Sequence, residues 1–249
     1  MVRTILFAWS ALAVVVADPG MLAIQDRPDD RFLFACSAFS AGTTEAELRA
    51  RFGPQNVTNG SVTDPNGAEG DRTEGTLLFA EDAETRLEIS WKDAVGKRQP
   101  ASIRTLATRG RWRTSRGIAL GTDLKSVEKL NGRPFRLAGL DFDLEGTVVS
   151  WSGGRLETQN SADCRIGMRL GVDASTSGSA ALERQVRGDK TFSSGHPAMQ
   201  ALNPIVYELF MSYGRRPANF ALEPTARRRL LRDPRNERAS AQRGQSHAD

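Results

Sequence analysis

Histidine is almost missing from this chain: His196 and His247 are the whole supply among 249 residues. Zinc centres draw on several His or Cys ligands, so most of them are ruled out. A Ser-His-Asp arrangement is reduced to one candidate base, His196. Cysteine is as scarce, with only Cys36 and Cys164. The G-x-S-x-G elbow, the H-E-x-x-H helix, the Walker loop and the G-x-G-x-x-G turn are all missing, which removes the commonest hydrolase and nucleotide-binding signatures. No metal and no cofactor is expected. Long apolar runs are lacking too. None reaches the roughly 18 residues that a membrane-spanning helix requires, so no transmembrane segment is expected.

The first residues carry the clearest signal. Met1-Val2-Arg3-Thr4 precedes an apolar run of 13 residues from Ile5 to Ala17, and Asp18-Pro19 stops it. As a helix that run would be about 20 Å long, too short to span a bilayer. Arg3 before it, and Val15 and Ala17 before the stop, fit a cleavable secretory signal over residues 1–17. The mature chain is then secreted or periplasmic. In an oxidising compartment Cys36 and Cys164 are expected to pair as a disulfide.

Charge is unevenly placed. Residues 214–249 hold nine arginines against Glu223, Asp233, Glu237 and Asp249, a net of +5, whereas residues 18–213 sum to −2. The basic tail reads as disordered. The folded part is not basic, and no nucleic-acid partner is expected for it.

Residues 18–31 read as a polar leader, and residues 32–39 as a first, mostly buried strand. Thr43 or Thr44 with Glu47 makes a capping box for a helix carrying Leu48 and Phe52, which Gly53-Pro54 ends. Seventy-nine residues on, the same punctuation returns. Gly121-Thr122-Asp123 opens a helix carrying Leu124, Val127 and Leu130, and Asn131-Gly132-Arg133-Pro134 closes it. Two hairpins follow these helices, at residues 74–79 with 86–91 and at residues 145–151 with 153–157. Trp91 and Trp151 end strands in similar places. The pattern predicts an α+β fold of antiparallel sheets with few helices, a tandem duplication of an α-β-β-β unit over residues 32–118 and 119–213. Residues 101–107 and 109–118 are expected as further strands. Residues 164–170 alternate as a half-buried strand should, 173–195 read as a long loop, 196–202 as short helix, and 205–213 as a closing strand.

Two clusters are candidates for chemistry. Asp141, Asp143 and Glu145 alternate before Gly146, and they read as the acidic face of a strand entering a turn. The calcium alternative fails because Ser152 stands where a bidentate Glu belongs. Arg109, Arg111 and Arg113 alternate around Trp112, forming a cationic strip suited to carboxylates, phosphates or sugars. The bland alternative is a solvated strand face opposite a core Trp, with the carboxylates near the second hairpin as internal partners. Asn56-Val57-Thr58 and Asn59-Gly60-Ser61 fit the glycosylation sequon.

Arg86-Leu87-Glu88-Ile89-Ser90-Trp91-Lys92-Asp93, the helix from Gly121-Thr122-Asp123-Leu124 to Asn131-Gly132-Arg133-Pro134-Phe135, and Gly146-Thr147-Val148-Val149-Ser150-Trp151 resemble a family of uncharacterised secreted bacterial proteins, over roughly residues 30–213. The paired helices with their Gly-Thr starts and Gly-x-Pro stops also resemble, at the level of fold, the beta-lactamase inhibitor protein and the small outer-membrane assembly lipoproteins. That resemblance implies helices laid on antiparallel sheet and action by binding other proteins, and it carries no site residues. The leading expectation is an exported, non-catalytic binding module for an unidentified protein or small ligand of the cell envelope. The alternatives are an enzyme built on Asp141, Asp143 and Glu145, and a structural envelope protein.

Overall fold

The computed structural model describes residues 30–65, 71–141, 144–172 and 180–214. The signal segment, nearly all of the leader, Asp143 and the tail beyond Gly214 lie outside the described residues. From Phe32 onward the described residues belong to one compact unit.

Helix α1 (Glu45–Phe52) begins on Thr44, whose hydroxyl accepts from the Glu47 N–H while the Glu47 carboxylate accepts from the Thr44 N–H. This reciprocal cap satisfies two backbone donors that a helix start leaves open. Leu48 and Phe52 are the buried residues of α1. Helix α2 (Leu124–Asn131) is capped by Asp123 and ends on Gly132 in the left-handed region, φ 80°, where a side chain is strained. Leu124 and Val127 are buried, but Leu130 is 37% exposed and lies outside the core.

Among the described residues nine strands form two antiparallel sheets, so the fold is α+β, mostly sheet. They are β1 (Val57–Thr63), β2 (Arg72–Leu78), β3 (Leu87–Asp93), β4 (Arg98–Leu106), β5 (Arg136–Ala138), β6 (Val148–Ser150), β7 (Cys164–Gly171), β8 (Thr191–Ser193) and β9 (Ile205–Tyr213). The larger sheet is six-stranded in the order β1-β2-β3-β4-β9-β7, and the smaller runs β6-β5-β8. A single bridge between Thr147 and Arg169, with the Leu170 N–H donating to the Gly146 carbonyl, links the small sheet to the edge of the large one.

The order of elements after the first helix and after the second is similar up to an insertion in the second. Helix α1 is followed by β1, β2, β3 and β4; α2 is followed by β5, β6, β7 and, after an insertion, β9. Each helix start is tied to the last strand of its half in the same way. Glu45 N–H donates to Lys97 O and Gln99 N–H to Thr43 O; Leu124 N–H donates to Pro204 O and Val206 N–H to Thr122 O. The halves then join along β4 and β9, which pair antiparallel from Ser102↔Ser212 to Leu106↔Glu208.

The core lies between the helices and one face of the large sheet. Phe32, Phe39, Phe52, Phe79 and Trp112 make an aromatic cluster with ring centroids 5.3–6.2 Å apart. Phe135 packs on Trp151 at 5.4 Å. Cys36 and Cys164 form a disulfide that spans 128 residues of sequence and pins the buried N-terminal segment to β7.

Several expected elements differ. Residues 32–39 are mostly buried but are no strand. Only Leu33 bridges, to Arg113, and the Ala35 carbonyl then accepts from Ala38 and Phe39, turning the chain toward Cys164. Residues 109–118 form no strand: the chain bends at Arg109 and Arg111, turns at Ser115-Arg116 where Gly117 N–H donates to Thr114 O, and bridges only at Arg113, to Leu33 and Ala119. Residues 153–157 do not form a strand. Asn131 donates to Trp151 O and accepts from Leu156 N–H, which winds Arg155–Gln159 into a 3-10 turn. Trp91 therefore sits within β3 and Trp151 just after β6, buried but not equivalent in the topology. Residues 140–141 enter no strand; Asp141 instead accepts from the Gly188 N–H. The expected loop at 173–195 holds α3 (Ala180–Gln185) and β8, which completes the small sheet by pairing with β5. Helix α4 (Pro197–Leu202) and strands β7 and β9 stand where the sequence places them.

Candidate functional site

The helix-free face of the large sheet carries the densest polar chemistry in the described residues. Along β3, Leu87, Ile89 and Trp91 enter the core, which sends Glu88 and Ser90 to the other face. On β4 the same alternation turns Ser102, Arg104 and Leu106 to that face; on β9, beyond a bulge opposite Arg169/Leu170, it turns Glu208, Phe210 and Ser212 there; on β7 it turns Arg165 and Arg169 there.

Register brings these residues into two rows. Glu88 lies opposite Arg104, and Glu208 opposite both Leu106 and Arg169. Glu208 is only 3% exposed, and it takes Arg104 at 2.8 Å on one carboxylate oxygen and Arg169 at 3.5 Å on the other. Glu88 takes Arg72 at 3.2 Å and Arg86 at 3.6 Å. Each carboxylate thus faces two guanidinium groups. With Arg165 added, the face keeps an excess of positive charge, although residues 18–213 as a whole are slightly acidic.

The β1–β2 hairpin explains why Glu88 and Ser90 are shielded on a face that no helix covers. Only Thr76, Leu77 and Leu78 of β2 pair with β3; the rest of the hairpin bends across the sheet. The bend needs Gly75, because a Cβ there would collide with the Ile89 carbonyl and the Val62 side chain. At the far end, the Thr63 N–H and hydroxyl both reach the Glu88 carboxylate at 2.9 Å. Burial alone would raise the Glu88 pKa, but the Thr63 bonds and the Arg72 charge outweigh it and hold the carboxyl below its ordinary range. Beyond the hairpin's reach, Phe210 lies flat over Gly167, and Leu106 is 59% exposed beside Glu208.

The sites expected from sequence fall elsewhere. Arg109, Arg111 and Arg113 are exposed, Gly110 and Trp112 between them are half-buried and buried, and Thr114 after them is buried, so the alternation is real although the ladder is not. Of the carboxylates near the second hairpin, Asp141 is engaged elsewhere. Asp141 is 3.9 Å from Arg187 and receives the Gly188 N–H. Glu145 is half-buried, and its backbone carbonyl accepts from the Tyr207 hydroxyl at 3.5 Å. His196 caps α4, its ring nitrogen Nδ1 accepting from Ala198 N–H at 3.2 Å. The neighbouring Ser194 hydroxyl is fully buried; it donates to Glu128 and accepts from Phe135 N–H at 2.9 Å, tying α2 to the small sheet. Among the described residues no three His, Cys, Asp or Glu side chains gather to hold a metal ion, and no helix is long and apolar enough to cross a membrane.

No family model, curated protein or solved structure matches the chain.

Proposed function

We propose that this is an exported, non-catalytic binding module that docks an acidic protein surface on the helix-free face of its large sheet. The observation that carries the reading is the paired arrangement of Arg72, Glu88 and Arg86 and of Arg104, Glu208 and Arg169, flanked by Phe210 and Leu106. Arginine and aromatic side chains are the anchors on which protein interfaces concentrate their energy. A surplus of guanidinium over carboxylate selects a partner with carboxylates of its own. The bound pairs preorganise the arginines, so little side-chain entropy is lost on docking. Export rests on the signal segment at residues 1–17, and the Cys36–Cys164 disulfide is compatible with an oxidising compartment. The similar order of elements after α1 and α2, joined at β4 and β9, is compatible with a tandem duplication.

The enzymatic alternative has no observation in its favour: Asp141 is engaged in holding the Arg187–Gly188 turn. A structural role in the envelope would use the same face.

The test is capture from envelope extract with charge variants placed where they break nothing. Leu106 and Ser212 are exposed on this face. Leu106→Glu with Ser212→Glu repels an acidic partner, whereas Leu106→Lys with Ser212→Lys does not. A protein retained by the parent and the lysine variant but lost from the glutamate variant is the expected result. Equal retention by all three rejects the assignment.

A further inference from the structure

A second cationic feature lies on the helix side of the molecule and shares no residue with the sheet face. Residues 109–116 carry Arg109, Arg111, Arg113 and Arg116, all exposed. What distinguishes them from the other arginines is rigidity beneath and vacancy around. Trp112 is fully buried in the aromatic cluster and its indole N–H donates to the Thr85 carbonyl at 2.6 Å. Arg111 N–H bonds Glu84 O at 2.8 Å, Arg113 N–H bonds Phe32 O at 3.0 Å, and Phe34 N–H bonds Arg113 O at 2.8 Å. The Thr114 hydroxyl accepts from Ile118 N–H at 3.2 Å. The backbone of the strip is therefore fixed on both sides although it belongs to no ladder.

None of its side chains forms an ion pair within 4.0 Å among the described residues, although the charge of Arg111 is felt by the Asp82 carboxylate, which hydrogen bonds from Thr85 and Glu84 already hold below its ordinary range. Arg49, Arg72, Arg86, Arg98, Arg104, Arg169 and Arg187 each meet a carboxylate within 4.0 Å. Among the described residues, the guanidinium groups of Arg109 and Arg113 meet no protein acceptor at all. Arg111 lies over the Phe32 ring at 4.3 Å, which occupies the face of the guanidinium and leaves its N–H edge outward. Arg116 donates only to the Thr158 hydroxyl, at 3.0 Å.

We infer that this strip is an anion-binding site for a ligand bearing two or more phosphate groups. Alternate residues lie at most about 7 Å apart along the backbone, which is within the Debye length of roughly 8 Å at physiological salt, so neighbouring guanidinium groups repel one another. A phosphate group with a charge near −1.5 to −2 neutralises two of them at once, and its oxygens match the planar N–H fork of arginine. Singly charged carboxylates do so less completely.

The experiment uses the full mature chain and two probes, inorganic tripolyphosphate and phosphatidylcholine vesicles containing about a third phosphatidic acid, whose headgroups are neighbouring phosphomonoesters. Arg109→Gln with Arg113→Gln removes the two vacant guanidinium groups without touching the core. Arg227→Gln, Arg228→Gln and Arg229→Gln in one variant controls for the basic tail. The expected result is binding to at least one probe that weakens about tenfold in the strip variant and much less in the tail variant. Binding to tripolyphosphate points to a soluble phosphate ligand, and binding to vesicles alone points to a lipid headgroup; either supports the site. Equal binding by the parent and strip variant, loss in the tail variant alone, or no binding of either probe overturns it. A failed envelope capture leaves this result untouched, because the variants and the face differ.

Discussion

Arg104 and Glu208 meet across the seam of the large sheet, a guanidinium nitrogen of β4 lying 2.8 Å from a carboxylate oxygen of β9. Arg169 approaches the other oxygen from β7 at 3.5 Å, so one carboxylate holds three strands together through side chains as well as through the ladder. Its side chain is 4% exposed and those of the arginines 21% and 22%. A Glu208→Leu change leaves two guanidinium groups facing each other with their counter-charge gone. The expected cost is about 2–4 kcal/mol, reduced from that of a fully buried pair by the partial exposure of both arginines. Urea unfolding monitored by tryptophan fluorescence measures it. Replacing all three at once, Arg104→Met, Glu208→Leu and Arg169→Met, is expected to restore most of the loss, because no unpaired charge remains. If the triple variant is less stable than Glu208→Leu, the row is not an electrostatic unit.

That row was invisible in the sequence, and the reason is physical. Arg104, Arg169 and Glu208 become neighbours only through the registers of β4·β9 and β7·β9, which no local pattern encodes. Features set by nearest neighbours were legible. Thr44 with Glu47 caps α1, Gly132 ends α2, and the alternation in residues 164–170 becomes β7. Features settled by distant partners were misread. Residues 32–39 are apolar enough for a strand, but no neighbouring strand is available beyond Leu33. The run 153–157 looks like the second arm of a hairpin until Asn131 closes it into a turn. The strip at Arg109, Arg111 and Arg113 lies between these cases: the alternation around Trp112 was readable, and the lack of a close ion pair among the described residues was not.

The disulfide makes a second prediction. Closing a loop of 128 residues removes unfolded-chain entropy worth about 5 kcal/mol by the polymer estimate. Both thiols are expected to resist alkylation under denaturing conditions until reductant is added, and the unreduced mass to be two protons below the dithiol form. Cys36→Ser with Cys164→Ser is expected to lower the urea midpoint markedly while leaving the signal of the fold in place. Ready alkylation without reductant contradicts the bridge.

Stability should fall at both ends of the pH scale. At Glu45, burial raises the pKa, but hydrogen bonds from Thr76 and Arg49 and the Lys97 ammonium more than offset it, so the carboxyl titrates below its ordinary value. Glu88 and Asp123 are lowered as well: burial, the largest single influence at each, opposes this, but the hydrogen bonds at each and the Arg72 charge at Glu88 together outweigh it. Carboxyls depressed in the folded state give stability that is present above the unfolded value of about 4 and lost as pH falls through the folded one. Burial raises the Tyr213 hydroxyl, and burial with the charge of Glu145 raises Tyr207. Their contribution is complete below the unfolded value of about 10 and lost as pH rises above it. Urea midpoints are expected to be flat between these limits. Glu88→Gln should flatten the acid limb in particular; an unchanged limb means that Glu88 is not depressed in solution.

The hinge of the β1–β2 hairpin gives the last prediction. Gly75 lies where a Cβ would strike both the Ile89 carbonyl and Val62, and the first of these is backbone that cannot swing aside. Gly75→Ala should therefore force the hairpin off the sheet rather than be absorbed by a rotamer change. The Thr63 bonds to Glu88 at 2.9 Å would break, and with them part of what holds that carboxyl ionised. Amide hydrogen exchange should show faster exchange at Thr63 and its neighbours in β1, with β4, β9 and β7 unchanged. The Glu88 pKa, followed by NMR, should rise in the variant. Gly60→Ala provides the comparison, since a Cβ there meets only the end of the Leu77 side chain at 2.7 Å, a group that can rotate away. If both variants behave alike, the bend does not depend on close backbone approach at Gly75, and the shielding of Glu88 needs another cause.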